Sequence, residues 1–308
     1  MQKLKLIAYF IITLFLLEGC TKDKPAPDPI ISDPTIPEDE IIRIPTVVHV
    51  MYAKDEYNIS DEKIISQFVV LNQDFRKKNP DYMNTPLEFK DLVADIGIEF
   101  VLATKDPDGN LTTGITRTFT TVDGWDGYNP LKDRSTDDLK LFFTNKGGYD
   151  AWPVDRYLNI WIAELSDHNG KVGLAGYAQF PGGDPRTDGV VIDPRVFGTI
   201  QPLSNVHQFG RTATHEIGHW LNLFHIFGNT FNCESTDSID DTPTSSNSHI
   251  GNPTYPQFSC GHSILFMNFM DYVDDQSMYM FTKGQKVRMR NVFAPTGGRA
   301  KLYTNIAK

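Results

Sequence analysis

The sequence has little cysteine, fewer basic than acidic residues and only one long apolar run. Three cysteines stand in 308 residues and none form a CxxC pair, so a cysteine-ligated zinc site is not indicated. Lysine and arginine number 29 against 39 aspartate and glutamate, a formal net charge of −10. This balance argues against nucleic acid and against an anionic membrane surface as partners. No internal repeat of the solenoid type is evident.

The one long apolar run lies at the N-terminus. Two lysines precede an apolar stretch from Leu6 to Leu17, which is followed by Gly19 and Cys20. A charged start and an apolar segment of this length are typical of a signal peptide and short for a membrane span. A small residue directly before cysteine resembles a bacterial lipobox. We therefore expect residues 1–20 to be a lipoprotein signal peptide with Cys20 lipidated; plain secretion and an uncleaved anchor are the alternatives.

Residues 21–40 are rich in proline and acidic side chains. Such a segment cannot bury enough apolar area to offset the entropy of ordering it, so we expect a disordered tether leading to a folded domain at 41–308. A single lipid-bearing residue would place that domain on a membrane without crossing it. The expected location is extracytoplasmic, on the bacterial outer membrane or cell surface, with release as an alternative.

If Cys20 carries lipid, Cys233 and Cys260 remain. An even pair of cysteines outside the cytoplasm is most simply a disulfide.

Hydrophobic periodicity predicts a mixture of strands and helices. The β-branched alternation of 41–52 predicts a strand, in which Pro45 suggests an edge position or a bulge. Ser60 is placed to begin a helix that runs to about Lys77, and Thr282 with Gln285 has the spacing of a capping box that opens a last helix. Further strands are predicted at 96–104, 158–165, 173–183 and 188–198. Residues 226–281 contain many turn formers and few periodic runs, so we expect an α+β fold with a loop-rich C-terminal part.

The stretch HEIGHWLNLFH, residues 215–225, places three histidines close together. On a helix, His215 and His219 share one face, one turn apart. A catalytic zinc takes three protein ligands and leaves a fourth position open. His225 is too distant along a continuing helix to join them, so the chain must reverse, and Asn222 is the candidate because asparagine tolerates the left-handed conformation. The alternative is a set of structurally satisfied histidines on an amphipathic helix.

The opposite face of that helix has an apolar stripe at helical spacing, which predicts a core-facing side. Its members are Ala213, Ile217, Trp220, Leu221 and Phe224.

The histidine stretch resembles the metzincin signature HExxHxxGxxH, with Asn222 in the glycine position. The segment FMNFMDYVDD, 266–275, resembles the methionine turn of the pappalysin (cytophagalysin) family of metzincins. IPTVVHVMY, GYAQFPGG, DDTP and MYMFTKGQ resemble that family in the same order. The resemblance implies a metzincin-like zinc-peptidase domain: a twisted mixed sheet with a backing helix and an active-site helix, and a loop-rich C-terminal lobe ending in a helix.

The resemblance implies one catalytic zinc ion with His215, His219 and His225 as ligands. Glu216 would be the general base for a zinc-activated water, and would carry its proton to the leaving amine.

Two further roles are carried over from the family. Met270 would form the floor beneath the metal, and the phenol of Tyr272 would help to stabilise the oxyanion. The alternative for Tyr272 is a core tyrosine.

The segment CESTDSIDDTP, 233–243, offers hard oxygens that suit calcium. The resemblance implies structural calcium in this loop, held by Asp237, Asp241 and the carbonyl of Thr242. The alternative is a solvated acidic loop.

These expectations combine into a secreted or surface-anchored zinc endopeptidase, which we expect to be monomeric and to act on proteins or peptides. Its cleft would lie between an upper lobe, 41–225, and a lower lobe, 226–308, and the strand near 173–183 would pair with an extended substrate. One rival is a zinc peptidase that uses a distant glutamate in place of His225. The other is a non-catalytic zinc-containing surface lipoprotein that binds a partner. The remaining histidines are expected to be structural or solvated: His49, His168, His207, His249 and His262.

Overall fold

The computed structural model describes residues 36–122, 124–126, 139–166, 173–230 and 232–306. The predicted signal peptide with Cys20, nearly all of the tether, and His168 lie outside these residues. Within the described ranges, no helix has both the length and the apolar character needed to span a membrane.

Strands and helices alternate in the first half and become short in the second. The strands assigned in the described ranges are β1 Ile42–Tyr52, β2 Ile98–Leu102, β3 Ile115–Phe119, β4 Trp125–Asp126, β5 Leu158–Ile162, β6 Leu165–Ser166, β7 Gly176–Ala178, β8 Val190–Ile192, β9 Ile250–Gly251, β10 Phe258–Ser259, β11 His262–Ser263 and β12 Tyr272–Val273. The α-helices there are α1 Asp61–Asp74, α2 Arg211–Trp220, α3 Lys283–Asn291 and α4 Ala300–Ile306. Short 3₁₀ helices lie at Asp55–Tyr57, Pro80–Asn84, Leu87–Leu92, Lys140–Phe142, Thr144–Lys146 and Asp275–Ser277.

The main sheet has the strand order β2-β1-β5-β8-β7, with β3 on the same side of β1 as β2. All of its pairs are parallel except β7 with β8, which is antiparallel. Helices α1 and α2 share one apolar core with a face of this sheet. The predicted α+β class with a mixed sheet, a backing helix and a site-bearing helix is therefore confirmed.

The edge position suggested for Pro45 is wrong, because β1 is central in the sheet. Its N-terminal half pairs with β2 on one side, while its pairing with β5 on the other side begins only at Thr46. The N–H of Ile42 points toward β2, where it donates to Gly97, and N–H groups alternate sides along a strand. The nitrogen of Pro45 therefore faces the β5 side one residue before that ladder starts, and the missing N–H costs no hydrogen bond.

Helix α1 begins as predicted, with the hydroxyl of Ser60 accepting the N–H of Lys63 at 3.2 Å. It ends at Asp74, three residues earlier than expected. Ile64, Leu71 and Phe75 are completely buried, as the helical spacing of these apolar residues required.

The regular elements assigned in the described residues of 226–281 are strands of two residues and one 3₁₀ helix. Cys233 and Cys260 form the predicted disulfide, with their Cα atoms 5.5 Å apart. The predicted capping box at the start of α3 is present, with Thr282 and Gln285 each accepting a backbone N–H from the other. The elements that were not predicted include β3 and the C-terminal helix α4.

Candidate active site

Helix α2 is buried at all ten of its positions. It begins after Gly210, which has a φ of +71° and provides no side-chain cap. Asp275 supplies the cap from a distant part of the chain: its Oδ2 accepts the N–H of Phe209 at 2.9 Å and of Arg211 at 3.2 Å. The C-terminal part of the chain thus fixes the start of the helix that carries the histidines.

The helix ends in the backbone reversal predicted at Asn222, whose φ is +75°. Leu223 N–H returns to the carbonyl of Gly218 at 2.9 Å, which closes the last turn. The apolar stripe was extrapolated one step too far, because the helix stops before Phe224. Leu223 is completely buried in its place, while Phe224 is only partly buried.

The reversal brings the three histidines of the motif together. Their Nε2 atoms are 3.1 Å apart between His215 and His219, 3.0 Å between His219 and His225, and 3.2 Å between His215 and His225. On the far side of each ring, Nδ1 of His215 is 2.7 Å from the carbonyl of Phe269 and Nδ1 of His219 is 2.7 Å from that of Leu223. A carbonyl only accepts, so both rings hold their proton on Nδ1 and turn a bare Nε2 lone pair inward.

Converging lone pairs of this kind fit a metal cation. Tetrahedral zinc, with Zn–N distances of about 2.0–2.1 Å, would space its nitrogens roughly 3.3 Å apart, close to the observed triangle. Burial lowers the pKa of His215 to about 3 and of His219 to about 4, and lowers that of His225 strongly, so the rings are neutral as ligands must be. Among the described residues, this triad is the one group of three or more histidine, cysteine or acidic side chains close enough to hold an ion.

Glu216 lines the cavity in front of the triad and is itself buried. Desolvation raises the pKa of its carboxyl to about 8, and a cation bound nearby would act in the opposite direction. Strand β7 approaches it closely: a Cβ added to Gly176 would lie 3.1 Å from Glu216 Cγ. A side chain at position 176 would press against that of Glu216, so the glycine permits this close approach.

Met270 is completely buried against α2, where a Cβ on Gly218 would come within 2.4 Å of its sulfur. Tyr272 lies two residues on, and its ring centroid is 4.7 Å from that of His225 and 5.7 Å from that of His215. Its side chain is 49% exposed and lines the same cavity as Glu216. It is therefore not a core tyrosine. Burial, with the charges of Glu216 and Asp271, raises the pKa of its phenol to about 12.

The cavity has a volume of about 590 Å³. One wall is β7, the outermost strand of the sheet. The predicted strand at 173–183 is thus present but short.

The acidic loop is ordered by protein donors. Asp237 accepts the Thr242 hydroxyl at 2.7 Å through Oδ1, while its buried Oδ2 has no hydrogen-bond partner. Asp241 caps helix α3, accepting the Thr282 hydroxyl at 2.7 Å and the N–H of Gly284 at 2.8 Å. The predicted calcium ligands are therefore not merely solvated, and Asp241 has a structural role that its sequence context did not indicate.

Three of the other histidines make ordinary hydrogen bonds, as expected for structural residues. His49 is buried between Thr116 and Asn159, His249 contacts Asp271, and His262 contacts the carbonyl of Thr244.

His207 differs from these histidines because it lines the cavity. Its Nδ1 is 3.6 Å from Asp275 Oδ1, a buried oxygen without a hydrogen-bond partner. Sequence reasoning missed Asp275 as a residue of the site, since nothing in its spacing from Met270 indicates contact with α2.

The chain matches known metallopeptidases. A family model described as Pregnancy-associated plasma protein-A, Peptidase M43, matches residues 145–294. An extracellular metalloprotease of Pyricularia oryzae is 30% identical over 265 residues, 82% of this chain and 75% of its own length. One from Arthroderma benhamiae is 29% identical over 255 residues, 80% of this chain and 76% of its own.

Two solved structures are also similar. Mature mirolysin of Tannerella forsythia, in complex with a cleaved peptide, is 44% identical with a TM-score of 0.79, covering 87% of this chain and 97% of that one. A mutant promirolysin of the same organism is 43% identical with a TM-score of 0.80, covering 89% and 88%.

The fold, the histidine triad and these relatives together define a metalloendopeptidase of the zinc-dependent kind. The chain belongs to the Peptidase M43, or pappalysin, family.

Proposed function

We propose that this chain is an extracytoplasmic zinc endopeptidase in which His215, His219 and His225 hold the ion and Glu216 is the general base. The observation that carries the proposal is the convergence of three histidine Nε2 atoms in a cavity lined by a buried glutamate. The relatives named extracellular metalloproteases support the location. Mirolysin was solved with a cleaved peptide, which supports peptides as substrates.

The residues around the triad supply the remaining chemistry. When bound, zinc supplies Lewis-acid polarisation of the scissile carbonyl and of the attacking water. Glu216 accepts the proton of that water and delivers it to the leaving amine. The phenol of Tyr272, whose pKa is raised to about 12, stays protonated and donates a hydrogen bond to the developing oxyanion. Met270 supports α2 from below without taking part in proton transfer.

The substrate would add alongside β7 as an extended strand. Because such pairing uses main-chain hydrogen bonds, it depends little on the side chains of the substrate. Selectivity must therefore come from the residues that line the cavity. Asp275 has an orphaned carboxylate oxygen at the cavity end near Thr212 and His207. An unpaired buried acceptor favours a cationic partner, so we propose that this end receives a basic side chain.

Several sequence predictions remain proposals of this kind. They are the lipid on Cys20, the signal peptide and tether, the two lobes on either side of the cleft, and the monomeric state. Calcium binding is also retained, supported by the orphaned Oδ2 of Asp237, with the carbonyl of Thr242 as a partner ligand. Asp241 is the weakest of the proposed ligands because both of its oxygens accept hydrogen bonds at the start of α3.

The variant Glu216→Ala tests the mechanism. We expect it to keep one zinc per chain and to lose casein hydrolysis by at least about 10²-fold, as removal of a general base does. Glu56→Ala, at an exposed glutamate outside the cavity, serves as the control and should retain activity. Casein hydrolysis at the wild-type rate in Glu216→Ala would rule out the proposed base.

The variant His225→Ala separates the rival ligand sets. Zinc affinity should fall steeply, because one of three protein ligands is lost. Undiminished affinity, measured by competition with a chelator, would favour the distant-glutamate alternative. The non-catalytic alternative is not favoured by relatives that are named metalloproteases.

A further inference from the structure

Two aromatic rings line the cavity at the end opposite Asp275. Phe180 follows strand β7, and Phe224 follows the reversal after α2. Their ring centroids are 5.3 Å apart, and that of Phe180 is 5.4 Å from the ring of His219. Phe180 is nevertheless 37% exposed. An apolar surface of this kind, held beside a zinc-ligand histidine, remains available to a ligand in the cavity.

The segment that holds Phe180 is fixed by hydrogen bonds to the preceding residue. Gln179 donates from its amide to the carbonyl of Asp184 at 2.9 Å and accepts the Thr187 hydroxyl at 2.6 Å. Its backbone carbonyl accepts from Arg299 at 3.4 Å, and Arg299 also donates to the carbonyl of Trp220 at the end of α2. The ring is thus positioned before any ligand binds, which lowers the entropic cost of using it for recognition.

The direction of β7 indicates which part of a bound substrate would contact Phe180 and Phe224. Gly176 faces Glu216 at the reacting centre, and Phe180 lies two residues beyond the C-terminal end of β7, where its ring is 5.4 Å from that of His219. Antiparallel pairing is the more stable arrangement. A substrate paired antiparallel to β7 would therefore place residues on the amino-terminal side of its scissile bond against Phe180.

A positive charge beside Phe224 also influences which substrate side chains can bind there. The guanidinium of Arg288 lies 5.5 Å from the ring of Phe224. A basic substrate side chain would be repelled there, whereas it would be attracted by Asp275 at the other end of the cavity. The two ends of one cleft therefore differ in chemistry.

We infer that Phe180 and Phe224 form an apolar subsite for an aromatic or large aliphatic substrate side chain two or three residues before the scissile bond. This inference rests on the proposed endopeptidase function and adds a specificity to it. Phe180 is the specificity-determining residue, since Phe224 adjoins a zinc ligand and its replacement would also disturb the metal.

The test uses zinc-loaded full-length protein and quenched fluorescent peptides of one sequence with arginine fixed near the cut. Phenylalanine, glycine or lysine is placed at the second or third position before the cleaved bond, which mass spectrometry identifies. We expect kcat/KM for the phenylalanine peptide to exceed that for glycine about tenfold, with lysine lower still. In Phe180→Ala the ratio of phenylalanine to glycine should fall to about one.

Phe258→Ala is the matched control, because Phe258 is 71% exposed and does not line the cavity. It should keep the tenfold ratio, and Phe180→Leu should keep an intermediate one even if Phe180→Ala folds poorly. A ratio near one in wild type, an unchanged ratio in Phe180→Ala, or a preference confined to residues after the cut would overturn the subsite.

Failure of the subsite and failure of the mechanism give different results. Cleavage that survives in Glu216→Ala with the aromatic preference intact would remove the proposed base and keep the subsite. Cleavage of no peptide by the zinc-loaded wild type would overturn both.

Discussion

The region before the reversal at Asn222 and the region after it are stabilised in different ways. In 42–221 the backbone is satisfied mainly by backbone, through a five-strand path of ladders and two helices. In the described residues of 226–306 the strands are two residues long, and the side chains of four aspartates accept backbone N–H groups. The N–H groups are those of Ile239 for Asp237, Gly284 for Asp241, His249 and Tyr272 for Asp271, and Phe209 and Arg211 for Asp275.

The difference explains where single residues matter. A ladder distributes its hydrogen bonds over many residues, so no one side chain decides whether it forms. Where one carboxylate accepts two backbone N–H groups, both hydrogen bonds depend on a single residue. Every buried N–H needs an acceptor, so loss of that residue leaves two groups unsatisfied. Substitutions after Asn222 should therefore cost more than similar substitutions in the sheet.

Asp271→Ala should have the largest effect. Asp271 is completely buried, accepts the N–H groups of His249 and Tyr272 at 2.8 Å each, and lies between Met270 and Tyr272. Removing the one carboxylate oxygen that accepts both N–H groups should lower the free energy of unfolding by about 3–5 kcal/mol, measured by urea titration of zinc-saturated protein. Asp271→Asn retains one acceptor oxygen and should lose less. A loss below about 1 kcal/mol in the alanine variant would contradict this role.

The double variant Cys233→Ser with Cys260→Ser should come next. The bridge closes a loop of 27 positions, for which the chain-entropy model gives about 3–4 kcal/mol. Hydrogen exchange should quicken between residues 233 and 260 while the amides of β1 remain protected. Equal quickening in both places would show that the two regions unfold as one.

Asp241→Ala should have a moderate effect. It removes the acceptor for Thr282 and Gly284 at the start of α3, and loss of such a cap costs about 1–2 kcal/mol. The neighbouring Asp240 is exposed, so Asp240→Ala should change stability by less than about 0.5 kcal/mol. Similar losses in both variants, again by urea titration, would mean that the general charge of the loop matters rather than the cap.

Pro45→Ala should have the smallest effect, because Pro45 lies in the sheet where no ladder bond depends on it. Alanine gives the unfolded chain more conformational entropy than proline does, and this alone should lower the free energy of unfolding by about 0.5 kcal/mol. A loss of more than about 2 kcal/mol in the free energy of unfolding, measured by urea titration, would show that β1 does depend on this single residue.

Elements that depend on nearby residues could be predicted from the sequence, whereas those that depend on distant residues could not. The strand at 42–52, the helix opened by Ser60, the capping box of Thr282 and the reversal at Asn222 all follow from neighbours within a few residues, and the structure has each of them. The central position of β1 did not follow, because it depends on strands more than fifty residues away that have no local signature. Helix α4 is short, and Arg299 just before it is held by the distant Trp220 and Asp188.

By itself, then, the sequence determined the local geometry of the histidine helix and the donor atoms that suit a metal, since periodicity and backbone conformation act over one or two turns. Only the tertiary structure decided that Asp275 caps that helix, that Tyr272 faces the same cavity as Glu216, and that Phe180 and Phe224 meet at its far end. These contacts join parts of the chain that are distant in sequence, and their partners are chosen by packing and by the need to satisfy buried polar groups.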